Sequence, residues 1–333
     1  MVQRTHIIAE CAQGYAQPTL SESLELAKWL TRAAKSCGAD SVKFQLVIAD
    51  ELACPDYKYY SLFKSLELGE AKWREVACLG RELGIELIFD IFGKESLSIA
   101  ERLNVRTIKV HPTDFTNSEL LRAIASSQKI CDVVAGCGGA TEEEILASLQ
   151  LLTSNKTVTL LLGLNRLQKF ARISELSGNH VRLGFADHAD PTGSDATHLA
   201  AMALGYGATV IEKHLTLARC LKLEDHESAL SPDEFEEFVK IIRGCEDAAG
   251  QTLSKGQSAF DLPETEQAYR RLVSRHVVAC RDIRVGECLA ASDLCLKRSA
   301  STSPITMLQT AIGKVTTRHI AANSPVCAED LEP

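Results

Sequence analysis

A chain of 333 residues that is 45% hydrophobic and 24% charged has ordinary globular composition, which speaks against intrinsic disorder and against a membrane protein. Its 36 basic residues against 44 acidic ones leave a net charge of −8. No nucleic-acid partner is expected, because neutralising phosphates needs a basic surface; an anionic small substrate stays open, since its site needs only a few local cations. The first residues, Met1 to Glu10, lack the apolar core of a signal peptide, and no run approaches the ~18 apolar residues that span a bilayer. The twelve cysteines form no C-x-x-C pair, and Cys11, Cys78, Cys137 and Cys280 fall in apolar runs. The expectation is reduced, buried thiols in a cytoplasmic protein.

Short apolar or β-branched runs at 6–12, 41–45, 86–92, 107–112, 132–138, 158–164, 181–187 and 209–215 read as strands. Helical patterns lie between and after them at 20–37, 70–83, 94–103, 118–126, 141–152, 194–204 and 231–248. Thr141 followed by Glu144 makes a capping box, and Ser231-Pro232 places proline at the first helical position. This alternation predicts an α/β fold, a (β/α)8 TIM barrel over residues 1–250. An open doubly wound sheet would show the same local pattern, but no G-x-G-x-x-G follows the first strand. Residues 251–271 read as a linker, and 272–333 as a small β-rich domain with runs at 276–279, 282–283 and 294–297. A core built from ~60 residues is thin by itself.

Reactive groups of such barrels sit at the C-terminal ends of the strands. Here Glu10 ends the first strand, Lys43 the second and Asp90 the third. Lys109, His111, Thr113 and Asp114 end the fourth, Asp187-His188 the seventh, and Glu212-Lys213-His214 the eighth. Ionisable groups in apolar strands are costly unless paired or bound, so their recurrence at matching ends predicts one convergent site. His188 and His214 end adjacent strands and read as metal ligands rather than as two unrelated loop contacts, with positions left open for water and substrate. Lys43 and Lys109 can hold a phosphate or carboxylate, or pair with Glu10, Asp90 or Asp114; a Schiff-base lysine is a third reading. The Asp225-His226-Glu227-Ser228 stretch is either a substrate loop or a solvated turn.

Several strings taken together resemble the sialic acid synthases. They are Ile7-Ile8-Ala9-Glu10, Gly38-Ala39-Asp40-Ser41-Val42-Lys43-Phe44-Gln45, Asp187-His188, Ile211-Glu212-Lys213-His214-Leu215-Thr216-Leu217 and Asp225-His226-x-Ser228-x-Leu230. The tail, with Val277-Val278-Ala279-x-Arg281-Asp282-Ile283-x-x-Gly286-Glu287 and Asp293-Leu294-x-x-Lys297-Arg298, resembles their antifreeze-like (SAF, β-clip) domain. The resemblance implies condensation of phosphoenolpyruvate with N-acetylmannosamine or a related sugar aldehyde. It implies Glu10 as the base that activates water, Lys43 and Lys109 as holders of phosphoenolpyruvate, and His188 and His214 on Mn2+, with Mg2+, Co2+ or Zn2+ as substitutes. Asp114 takes the place of a family glutamate near the sugar, Asp187 belongs to the D-H string at the substrate site, and Asp225 matches a residue on sugar hydroxyls. Arg298 matches an arginine that reaches the partner's site, which implies a domain-swapped homodimer.

The chain departs from the family pattern where hydroxyls bind the donor. Gly14-Tyr15 replaces Asn-His, Asp90 replaces a threonine, Pro112 and Gly136 each replace a serine, and Ala186 replaces another. The sixth strand ends in Leu164-Asn165-Arg166, where the family has cysteine, threonine and serine. One reading keeps phosphoenolpyruvate and lets Thr113, Arg166 and the backbone amides of residues 136–139 stand in for the lost hydroxyls. A second uses pyruvate or another unphosphorylated donor, which makes a carboxylate at Asp90 tolerable. A third is a non-catalytic sugar-binding homologue, against which the intact Glu10, Lys43, Lys109, His188 and His214 speak.

Overall fold

The computed structural model describes residues 4–163, 181–193, 195–252, 262, 264–301 and 303–332. The chain divides into two compact units, Met1–Ser254 and Lys255–Pro333. In the first, β1 (His6–Ala12), β2 (Ser41–Gln45), β3 (Glu86–Ile91), β4 (Thr107–Val110), β5 (Asp132–Gly136), β6 (Thr157–Leu162), β7 (Val181–Asp187) and β8 (Val210–His214) close into a barrel. Each neighbouring pair is parallel, and β8 returns to β1, so the open doubly wound alternative is excluded. Helices α1 (Leu20–Ser36), α2 (Ala49–Leu52), α3 (Tyr60–Ser65), α4 (Glu70–Leu83), α5 (Lys94–Arg102), α6 (Ser118–Ser126), α7 (Glu142–Leu152), α8 (Asp195–Gly205) and α9 (Pro232–Thr252) lie between and after the strands.

Alternation along the strands separates two apolar layers. Ile8, Ile88, Val134, Leu161, Ala186 and Val210 form one buried cluster; their strand neighbours Ile7, Ala9, Phe89, Val133, Leu160, Phe185 and Ile211 belong to the larger cluster with the helices. The smaller cluster is the barrel interior. Two residues further along these strands stand Glu10, Asp90, Gly136, His188 and Glu212. A period of two therefore carries the polar set above the apolar plug on the same inward face.

Local chemistry explains where strands stop short of the expected ranges. Beyond β3, the Ser96 hydroxyl accepts hydrogen bonds from the amides of Phe92 and Gly93 at 3.1 and 3.0 Å, which turns the chain into α5. Beyond β4, Pro112 lacks an amide proton and opens a 3-10 turn over Pro112–Asp114. The capping box at α7 forms as expected: Thr141 accepts from the Glu144 amide at 3.2 Å, and the Glu144 carboxylate accepts from the Thr141 amide at 2.8 Å.

In the second unit, α10 (Glu264–Val273) precedes β9 (His276–Ala279), antiparallel β10 (Leu294–Lys297) and α11 (Leu308–Ala311). Bridges such as Ile283 to Ile320 and Thr316 to Leu331 enclose Val277, Ala279, Leu289, Leu294 and Val326. The helix α10 overlaps the C-terminal part of residues 251–271, the stretch read as linker. It is rich in Glu, Gln and Arg and buries none of its residues, so its polarity reads as loop although Ala268, Tyr269, Leu272 and Val273 fall on one face. Two cysteines correct the expectation of burial: Cys11 and Cys137 are buried, whereas Cys78 and Cys280 are exposed. Among the described residues no helix is long and apolar enough to cross a membrane.

Candidate active site

The mouth is built outward from β1. Glu10 is the register partner of Lys43 on β2 and of His214 on β8, so its carboxylate stands between the lysines and the histidines. A bulge between Glu10 and Ala12, where Ala12 takes φ 43°, turns the chain so that the Ala12 amide donates to Glu10 Oε1 at 2.6 Å. The other carboxylate oxygen pairs with Lys43 Nζ. The Lys43 ammonium also faces Glu212 at 3.5 Å and Asp90 at 3.8 Å. Lys109 Nζ lies 2.8 Å from Glu212 Oε1 and 3.9 Å from Glu10 Oε2. Three carboxylates and two ammonium groups thus share one buried cluster.

The electrostatics of the cluster follow from burial set against these neighbours. Burial pushes the Lys43 ammonium down to about 8, partly offset by Glu212. Burial alone would raise Glu212, but Lys109 and Lys43 outweigh it and hold the carboxyl at about 2. Burial likewise opposes the charge on Lys109, yet Glu212 and Asp90 keep it above the ordinary lysine range. Glu212 is read from the sequence as ending the eighth strand at the convergent site, with no role assigned to it. The available signal was its place two residues before His214 in an apolar strand, which puts both on one face.

The imidazoles of His188 and His214 meet with ring centroids 5.2 Å apart. His214 is buried and His188 exposed at the rim. Burial, with the neighbouring His188, lowers His214 to about 3 from its usual 6.5, so its ring is neutral and has a lone pair to donate. The Asp225 carboxylate lies 3.8 Å from His214 Nδ1, on a residue whose φ of 58° is in the left-handed region. Burial raises the Asp225 carboxyl. Among the described residues, no group of three or more His, Cys, Asp or Glu is arranged to hold a metal. Two imidazole nitrogens with a carboxylate near them fit an open catalytic cation, whose other positions are left to water and substrate, rather than a closed structural one.

Other expected residues fall in different places. The side chain of Asp187, expected at the substrate site, is wholly buried, pairs with Lys213 at 3.2 Å and accepts from the Ala189 amide at 2.9 Å. It alternates with His188 and therefore faces away from the barrel interior. Thr113 is exposed and bonded to His111 Nδ1 at 2.8 Å, while burial raises the half-buried Asp114, whose carboxylate accepts from Asn117 at 3.3 Å. Asp90 is buried beside Lys43. Arg298 is exposed in the second unit. Residues 164–166 lie outside the described residues.

Two of the departures fit one another. A side chain at Gly136 would stand 3.3 Å from Lys109 Cε and 3.5 Å from Pro112 Cδ, so glycine leaves room for the lysine stem beside the proline. Tyr15 is a core residue: it packs on Phe44 and Trp73, and its hydroxyl donates to the Leu66 carbonyl at 3.0 Å.

Because His214 stays neutral when folded, unfolding at mildly acid pH takes up a proton. Stability should be intact above the unfolded value of 6.5 and be lost as pH falls toward the folded value of about 3. The slope reaches about 1.4 kcal/mol per pH unit. In EDTA, the urea midpoint of the wild type should therefore fall more steeply between about pH 6.5 and about pH 5 than that of His214→Gln. Equal slopes would show that the ring is not buried neutral.

A closed eight-strand barrel with acid, lysine and histidine groups at its mouth, followed in the chain by a small β-rich unit, has the architecture of a TIM-barrel enzyme. Residues 30–254 match the NeuB family and residues 274–332 match the SAF domain. The chain belongs to the NeuB family, whose members are carbon–carbon bond-forming synthases of sialic acid and related sugars. It is 26% identical to the N,N'-diacetyllegionaminic acid synthase of Campylobacter jejuni, over 96% of this chain and 97% of that protein. It is 27% identical to the N-acetylneuraminate-9-phosphate synthase of Mus musculus, over 87% of this chain and 82% of that one. A solved structure from Chromobacterium violaceum, named for spore coat polysaccharide biosynthesis (protein E), superposes with a TM-score of 0.76. That match has 25% identity and covers 99% of this chain and 100% of the other.

Proposed function

We propose that the protein condenses phosphoenolpyruvate with N-acetylmannosamine or a related amino-sugar aldehyde to a nine-carbon nonulosonic acid, with a divalent cation, Mn2+ first. The observation that carries this reading is the register of Glu10, flanked by Lys43 on one side and His214 on the other. Bound at His188 and His214, the cation supplies Lewis-acid polarisation of the sugar aldehyde. Lys43 and Lys109 receive the donor's carboxylate and phosphate as point charges. Lys43 is paired with Glu10 in the free protein, so an anionic donor on Lys43 releases the Glu10 carboxylate to act as base.

Carbon 3 of the donor attacks the aldehyde carbon, and the aldehyde oxygen takes a proton to become a hydroxyl. Water gives a proton to Glu10 and adds at carbon 2. The bond from carbon 2 to the phosphate oxygen then breaks, phosphate leaves with the electron pair, and the new hydroxyl loses its proton to become the ketone. Asp114 and Asp225, on opposite sides of the mouth, are the sugar contacts, and Thr113 with the amides of residues 136–139 are the phosphate contacts. The rate gain comes from orientation and preset charge.

One observation favours a second donor. Asp90 stands 3.8 Å from Lys43, where a phosphorylated donor meets a like charge. Purified protein with Mn2+, N-acetylmannosamine and phosphoenolpyruvate should release phosphate only when the sugar is present. Product from pyruvate without phosphate release would replace the first reading by the second, and sugar-dependent thermal stabilisation without turnover on either donor would sink both.

The assembly belongs to the same proposal: a homodimer in which the exposed Arg298 of one protomer serves the partner's site. His214→Ala and Arg298→Ala should each be inactive alone, and mixing them after dissociation should restore about a quarter of wild-type activity, because half the dimers are mixed and one of their two sites is intact. No recovery in a verified mixed dimer would place Arg298 at its own barrel or at none.

A further inference from the structure

The mechanism above leaves one fully buried ion pair unused. Asp187 and Lys213 are register partners on β7 and β8, and both side chains are wholly buried, 3.2 Å apart. Lys213 Nζ also donates to the Ala189 carbonyl at 3.1 Å, while the Ala189 amide donates to Asp187 Oδ1 at 2.9 Å. Both residues flanking His188 are thus tied to one ammonium group, and that ammonium belongs to the residue preceding His214. A weaker tie joins the Ser228 hydroxyl to the His188 carbonyl at 3.4 Å.

Burying two charges costs several kcal/mol of desolvation per ion, and an apolar pair of similar volume often holds strands together at least as well. Adhesion of β7 to β8 does not account for the pair. Position does: the hydrogen bonds define where the backbone on each side of His188 must lie relative to β8. We infer that Asp187 and Lys213 form a positioning clamp that sets the separation and orientation of the His188 and His214 imidazoles for a shared cation. The inference rests on the reading of those two rings as the cation site. Neither residue touches substrate; both act through the histidines.

The test uses Asp187→Asn/Lys213→Met in the full-length protein, a variant that removes both charges and keeps an acceptor for the Ala189 amide. Co2+ serves as the probe, because its visible spectrum reports ligand geometry. The expected result is a folded variant whose Co2+ affinity falls roughly 10- to 100-fold with a changed absorption envelope. Wild-type affinity and spectrum, with or without a lowered melting temperature, would overturn the clamp. Should the double variant not fold, Lys213→Arg keeps the charge while changing the donor geometry, and the same two outcomes apply. A crystal structure of the metal-free variant reads the clamp independently of any cation: rings displaced from their 5.2 Å separation support it, and unmoved rings overturn it. Wild-type protein that takes up no Co2+ would instead sink the cation reading, leaving the ring separation to decide the clamp.

Discussion

His188→Ala and His214→Ala are each expected to lose the divalent cation and at least about 10³-fold in turnover, since Lewis-acid stabilisation of a developing alkoxide contributes several kcal/mol. His188 is exposed at the rim, so its removal should leave the melting temperature almost unchanged. His214 is buried, and its alanine variant should also be less stable by about 1–3 kcal/mol. The two variants together separate chemistry from folding: metal content by elemental analysis should fall in both, and stability mainly in one. Full metal content and activity in either would remove that imidazole from the site.

Lys109→Met should show the second large effect, and it acts on two properties at once. The lysine lies 2.8 Å from Glu212, whose side chain is 2% exposed. Without it the Glu212 carboxylate keeps only Lys43, already engaged by Glu10, and an undercompensated buried charge typically costs 3–5 kcal/mol, or about 10 °C in melting temperature. Loss of a charge-assisted contact to the donor should raise KM by about 10- to 100-fold. Pairing the change with Glu212→Gln removes the stranded charge. That double variant should regain most of the stability and none of the donor affinity, as read by thermal melts beside steady-state kinetics. Recovery of both would mean that Lys109 balances Glu212 and does nothing for the donor.

These effects concentrate in a cluster whose arrangement has a functional cost. Lys43 contacts Glu10 and also faces Glu212 and Asp90, so a donor must displace carboxylates to reach it. Where the resemblance implies donor-binding hydroxyls, Asp90, Pro112 and Gly136 stand in this chain. Glycine at 136 makes room for the Lys109 stem, and an anionic donor meets a cluster in which carboxylates already outnumber ammonium groups.

Much of this was legible in one dimension. Strand and helix alternation is a local property of apolar spacing, and the ionisable residues ending the apolar runs stood out because water-seeking groups there need a partner. Glu10, Lys43, Lys109, His188 and His214 stood out that way, and the barrel brings them to one mouth, while the tail's resemblance to an antifreeze-like domain is matched by its SAF domain. The exposed helix Glu264–Val273 did not, because it buries none of its residues and its polar composition masks its few apolar ones. Tertiary structure alone decided which faces meet. Asp187 and His188 are neighbours in the chain, yet the period of two sends one to a buried lysine and the other to the mouth. Glu212 joins Lys109, 103 positions away, only because the barrel closes on itself and brings their strands across from each other. Local pattern determines which residues are able to carry charge inside an apolar strand; closure and register determine whose charge they meet.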